Sequence, residues 1–143
     1  MTPTFICRTS PQSSPDYVLS LTAEERSRSR FLFQSDDGEA LYLNLPRGTT
    51  LKDGDWLESE DGKFVKIQAK PEPVLTVTTG NSLNLLQAAY HLGNRHVPLE
   101  ISNTSLRLSP DSVLQDLLEH RGLQVKSETV PFQPESGAYG HAH

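Results

Sequence analysis

The sequence predicts a two-domain α+β protein, on three observations: closely spaced turns over residues 1–70, a proline-rich break at Lys70-Pro71-Glu72-Pro73, and alternating strand and helix patterns beyond it. The expected divisions are a small all-β domain over 1–70, a linker over 71–74, a mixed domain over 75–133 and a flexible tail over 134–143. Proline removes a backbone donor and pushes its predecessor into extended geometry, which sets the boundary at the break. A chain of 143 residues suffices for one ordinary domain or two small ones. Small halves bury a low fraction of their surface, so a partner or a second copy would help them.

In the first half, Phe31-Leu32-Phe33 and Leu41-Tyr42-Leu43-Asn44-Leu45 flank Asp36-Asp37-Gly38-Glu39. Asp-Gly between two such runs is a hairpin signal, because glycine accepts positive φ. Turns at Pro46-Arg47-Gly48, Lys52-Asp53-Gly54-Asp55 and Glu60-Asp61-Gly62-Lys63 complete an all-β pattern, the last leading into a strand at 64–69. Asp53, Asp55, Glu58, Glu60 and Asp61 lack the ordered ligand series of a calcium loop and read as turn chemistry. Arg26, Arg28 and Arg30 alternate with serines and would share one solvated face of a strand. Cys7, beside Phe5 and Ile6, reads as a buried or half-buried strand residue.

In the second half, residues 74–78 read as a strand. Asn81 or Ser82 is expected to cap a helix through about Leu92, with Leu85, Leu86, Ala88, Ala89 and Leu92 apolar and Gly93 ending it. Strands follow at 97–101 and 105–108. Ser109 is then expected to cap a second helix, with Pro110 in its first position, Asp111 at the positive end of its dipole and Gly122 as its stop. Alternation over 123–130 gives β-α-β-β-α-β, the ferredoxin-like arrangement of two helices on one face of an antiparallel sheet.

Composition excludes several functions. With 35% hydrophobic and 22% charged residues and no apolar run near the ~20 residues of a membrane span, no membrane association is expected. The first residues lack the basic start and apolar stretch of a secretory signal, so the expected location is the cytoplasm. A formal charge of -5 argues against general nucleic-acid binding. One cysteine cannot form an internal disulfide or a Cys-only metal site.

The chemistry-bearing residues are His91, His96, His120, His141 and His143. His120, near the end of the second helix, suits the helix dipole. His91 reads equally as a dipole or surface residue and as a metal ligand. His96 follows a helix-stopping glycine and precedes Val97-Pro98, a tightly specified backbone; geometry alone leaves a surface role and a ligand role both open. One imidazole does not hold a transition metal firmly. In a twofold dimer a residue near the axis meets its own copy, and His141 and His143 can add ligands on a tether of high effective concentration. Imidazole suits nickel, copper and zinc alike, and ligand chemistry does not choose among them.

The segment His91-Leu92-Gly93-Asn94-Arg95-His96-Val97-Pro98-Leu99-Glu100-Ile101 resembles the signature of the UreE urease accessory proteins. The run Val130-Pro131-Phe132-Gln133-Pro134-Glu135-Ser136-Gly137-Ala138-Tyr139-Gly140-His141 is similar to the family's approach to a histidine-bearing tail. Residues 111–118 resemble its second helix, and Leu45-Pro46-Arg47-Gly48-Thr49 with Asp53-Gly54-Asp55 its N-terminal domain. The resemblance implies a β domain like a peptide-binding module, a metal-binding domain through which the chain forms a homodimer, and a nickel metallochaperone rather than an enzyme. It implies delivery of Ni(II) to the urease apoprotein together with accessory proteins including a GTPase, with Zn(II) or Cu(II) able to occupy the site in vitro. His96 matches the family's interfacial ligand, and His141, His143 and His91 complete the expected ligand set. The tail here is short, which implies little storage capacity, and Ser109, Pro110 and Ser112 stand where some relatives carry extra histidines.

Two other readings compete. One is a metal-independent protein-interaction module assisting urease maturation or folding, with incidental histidines. The other is a hydrolase using His96 with Asp111 or Glu100, against which stands the absence of a nucleophile elbow, a phosphate loop or three-ligand metal spacing.

Overall fold

The computed structural model describes residues 2–135; the expected tail, with His141 and His143, falls largely outside the described residues. The chain divides after Lys70 into two compact units.

The N-terminal unit is built on strands β1 (Thr4–Thr9), β2 (Tyr17–Leu21), β3 (Arg30–Gln34), β4 (Ala40–Asn44), β5 (Trp56–Ser59) and β6 (Phe64–Ala69), with a short helix α1 (Ala23–Arg26). They form one six-stranded sheet in the order β2-β6-β5-β1-β4-β3. Phe5, Leu19, Leu41, Leu43, Leu57, Val65 and Ile67 are each 0% exposed and form its core. The Asp-Gly hairpin is present: β3 and β4 pair antiparallel from Arg30↔Asn44 to Gln34↔Ala40, and Gly38 turns at φ 89°.

Three expectations fail in this unit for identifiable reasons. The unit is not all β: it holds helix α1, whose signal in the sequence is a Thr-x-x-Glu capping box, in which the Glu25 amide donates to the Thr22 hydroxyl and the Thr22 amide to the Glu25 carboxylate. The arginines therefore do not share a strand face. Arg26 lies in α1 and is 3% exposed, with Nε donating to the Thr22 carbonyl. Arg28 bridges Glu24 and lies 4.6 Å from the Phe31 ring centroid, while Arg30 opens β3. Cys7 is exposed, because the β1–β5 register shifts between Phe5 and Cys7 and breaks the simple inward-outward alternation.

The C-terminal unit contains β7 (Pro71–Thr78), α2 (Ser82–Asn94), β8 (Glu100–Ile101), β9 (Ser105–Leu108), α3 (Ser112–His120) and β10 (Gln124–Pro131). Its antiparallel sheet runs β10-β7-β9-β8. Leu75, Val77, Leu106 and Leu108 from the sheet meet Leu85, Ala88 and Leu92 of α2 and Leu114 and Leu118 of α3.

Residues 71–74, expected as a linker, are the start of β7. There β10 pairs with one side, from Pro71↔Pro131 to Val74↔Glu128, whereas β9 joins only from Leu75 onward. A one-sided stretch tolerates proline, whose missing N–H would break a ladder paired on both sides. Strand β8 begins at Glu100 rather than Val97. Helix α2 continues through Gly93 to Asn94, with Arg95 as its C-cap. Helix α3 is capped by Asp111, not Ser109: the Asp111 carboxylate accepts from the Leu114 amide at 3.0 Å.

On the sheet face opposite the core, Lys126, Thr76, Arg107 and Glu100 form a row across the four strands. The Thr76 hydroxyl donates to the Glu128 carboxylate and accepts from Arg107 Nε at 3.2 Å. That hydroxyl, with Lys126 and Arg107, holds the Glu128 carboxyl below its ordinary range against the opposing effect of burial.

Asp111→Ala should lower stability by about 1 kcal/mol in denaturant titration, whereas Ser109→Ala should change it little. Because folding lowers the Glu128 pKa, its stabilising contribution is present above the unfolded value and is lost as pH falls through the folded one. Glu128→Gln should therefore flatten the acid limb of a stability-against-pH curve.

Candidate metal centre

The site is set by how α2 stops. The His96 amide donates to the Gly93 carbonyl at 3.0 Å, and the Val97 amide reaches back to the Leu92 carbonyl at 3.2 Å. This bond pair is the Schellman motif, in which the residue after the cap adopts a left-handed conformation. That residue is His96, at φ 58°, the only non-glycine with positive φ among the described residues. Helix α3 ends with the same bonds, Gly122 to Glu119 at 3.0 Å and Leu123 to Leu118 at 3.1 Å, and there the left-handed position is glycine, at φ 87°. An L-residue in this conformation costs roughly 1–2 kcal/mol, and non-glycine residues held there cluster at functional sites.

The turn is firmly seated. Leu92 is 0% and Leu99 5% exposed, and Val97 packs against the same core. His96 itself is exposed. Its backbone is thus fixed by buried neighbours while its imidazole side remains accessible to solvent. His91, half-buried in the last turn of α2, lies edge-on to Tyr90 with ring centroids 5.4 Å apart. Leu83, Leu86 and Tyr90, at helical spacing along α2, are 59%, 68% and 66% exposed and form an apolar stripe leading toward the His96 turn.

Among the described residues, no three His, Cys, Asp or Glu groups are gathered closely enough to hold a metal ion. A complete site built on His96 therefore needs ligands from beyond these residues of one chain. His141 and His143 lie outside the described residues. His120 occupies the last turn of α3, as the dipole reading expects.

The two carboxylates named for the hydrolytic reading already have hydrogen-bond partners. Glu100 Oε1 accepts from the Gln133 amide at 2.7 Å and Oε2 meets Arg107 Nη1 at 3.2 Å, while Asp111 caps α3. Neither matches the base that a hydrolytic reading would pair with His96. In the N-terminal unit, Asp53 accepts from the Ala69 amide at 2.8 Å and Asp55 from the Lys52 amide at 2.9 Å, in keeping with turn chemistry. The left-handed backbone of His96 was not legible from sequence. Its signal, an Asn-Arg-His run after a glycine the helix does not use as its stop, becomes readable only beside Gly122.

Comparison with known proteins covers nearly the whole chain. Residues 7–70 match the family model for the UreE urease accessory protein, N-terminal domain, and residues 72–143 that for its C-terminal domain. The urease accessory protein UreE of Nostoc sp. strain PCC 7120 is 55% identical over 144 residues, spanning 100% of this chain and 98% of that protein. Its counterpart in Thermosynechococcus vestitus is 57% identical over 98% of this chain and 97% of its own length. The UreE of Burkholderia ambifaria is 50% identical over 88% of this chain and 62% of its own length.

Replacing His96 by glycine should stabilise the C-terminal unit by about 0.5–1 kcal/mol, since relief of left-handed strain exceeds the entropy glycine adds to the unfolded chain. His96→Ala should fall below His96→Gly in thermal and denaturant unfolding.

Proposed function

Because the chain belongs to the UreE urease accessory protein family, we propose that it carries Ni(II) for assembly of the urease active site, with His96 as its central ligand. As a member of an accessory family it is an assembly factor rather than an enzyme. The observation that carries the proposal is the solvent-accessible imidazole side chain borne on a strained, left-handed turn where the sister helix uses glycine.

One His96 is a partial site, and a twofold homodimer through the C-terminal unit supplies a second copy. The exposed stripe of Leu83, Leu86 and Tyr90 supports such an association, since burying apolar surface drives it. The order β10-β7-β9-β8, fourth-first-third-second within the unit, supports a ferredoxin-like assignment for this domain. His141 and His143 complete the coordination from the chain end, with His91 as an auxiliary ligand beside the turn. Zn(II) and Cu(II) fit the same imidazoles in vitro, so the choice of nickel rests on the family's link to urease. The working partners are the urease apoprotein and its accessory proteins, including a GTPase, in the cytoplasm. No helix of the described residues is long and apolar enough to cross a membrane.

A second reading, a metal-independent interaction module, draws on the N-terminal unit. Leu32 and Tyr42 are cross-strand partners yet 56% and 38% exposed. Binding of urease components by a chain without nickel affinity would select it.

Calorimetric titration with nickel should show at least a tenfold loss of affinity in His96→Ala, and sedimentation should show a dimer weakened by Leu86→Glu. Wild-type nickel affinity in His96→Ala would overturn the assignment.

A further inference from the structure

The sheet of the C-terminal unit ends in two unlike edges. Strand β8 has two residues, whereas β10 has eight, paired with β7 along its whole length from Gln124↔Thr78 to Pro131↔Pro71. Alternate amides and carbonyls of an edge strand point away from its neighbour. Among the described residues, no further strand pairs with that outer side of β10. A long edge is ordinarily guarded by charge. The guard here is Lys126, whose side chain is 78% exposed, and Glu128 stands two positions on, on the same face of the sheet.

That spacing makes the edge complementary to itself. In an antiparallel pair of two β10 strands with a twofold axis at Ser127, Lys126 of each copy lies opposite Glu128 of the other, and Val125 lies opposite Thr129. Moving the axis to Lys126 or to Glu128 sets like charges face to face, which disfavours those registers. The seam then runs from Gln124 to Val130, so that Pro131, which lacks an amide hydrogen, lies outside it. The row of Glu100, Arg107, Thr76 and Lys126 across the four strands continues onto a carboxylate of the second copy.

We propose that the free edge of β10 docks a second copy of this chain, β10 against β10 with Ser127 at the twofold axis, joining two sheets into one. The contact is isologous and needs no metal. It is separate from the apolar stripe of α2, so a chain that uses both surfaces assembles beyond the dimer.

The tests use the full chain without metal. In a Leu86→Glu background, which weakens association through α2, sedimentation equilibrium should still show mass rising with concentration toward twice that of one chain. Adding Lys126→Glu should weaken this association about tenfold or more, because both symmetry-related pairs become repulsive, while Lys126→Arg should leave it unchanged. The register is read by disulfide trapping with diamide in Cys7→Ser, which leaves an introduced thiol as the only one. Ser127→Cys should cross-link to its own copy, since facing Cα atoms of an antiparallel pair lie ~4.5–5.5 Å apart, within disulfide reach. Gln124→Cys should not, because its copy sits six positions away along the seam, ~20 Å. A single monomer mass at every concentration, undiminished association in Lys126→Glu, or cross-linking through Gln124→Cys as fast as through Ser127→Cys would each overturn the proposal. Nickel affinity enters neither readout, so failure of the carrier reading and failure of this one are told apart.

Discussion

The left-handed turn at His96 is the constraint from which the site follows. Leu92 is fully buried, and its carbonyl accepts the Val97 amide, so the chain must reverse within four residues while returning Val97 to the core. That geometry requires a positive φ at the residue between Arg95 and Val97. Glycine would satisfy it without strain, as Gly122 does at the end of α3. A histidine there is conformationally costly, and its side chain is not among those that form the buried core of the unit. The cost is consistent with selection for the imidazole.

Anchoring His96 between buried Leu92 and Leu99 while leaving the residue itself exposed separates two requirements of the proposed site. The leucine core of the C-terminal unit fixes position, while among the described residues no three His, Cys, Asp or Glu groups gather to hold a metal ion. A closed four-ligand cage would bind metal into the fold itself, as structural zinc sites do. Under the proposed carrier role, His96 would instead share its metal with ligands from outside the described residues of one chain, so release would not require the unit to unfold. Such a site suits transfer better than storage.

The parts of the fold legible in sequence were those whose signals are local. The Asp37-Gly38 hairpin, the apolar face of α2 and the alternation into β10 each rest on residues adjacent along the chain. What escaped depends on partners distant in sequence. Pro71 and Pro73 read as a break because proline weakens a doubly paired strand, yet β9 leaves that stretch of β7 paired on one side only. Gly93 read as a stop, but its carbonyl is an acceptor in the capping turn, and the stop passes to His96. Cys7 read as buried because a register shift between strands cannot be seen in one of them. The capping box at Thr22 was an exception, a local signal hidden among arginines and serines.

Carboxylates of the C-terminal unit illustrate the same division of labour. Glu100 follows His96 by four positions and Asp111 begins the next helix, so a search for charged ligands would reach both. Each is occupied: Asp111 satisfies an orphan amide of α3, and Glu100 bridges Arg107 and the Gln133 amide. Removing either from these partners to serve a metal would expose a helix end or take from Arg107 and the Gln133 amide a shared acceptor. The fold thus commits these two carboxylates to structure; on the proposed carrier role the ligands are imidazoles, which favour late first-row divalent metals over the calcium and magnesium that carboxylates attract.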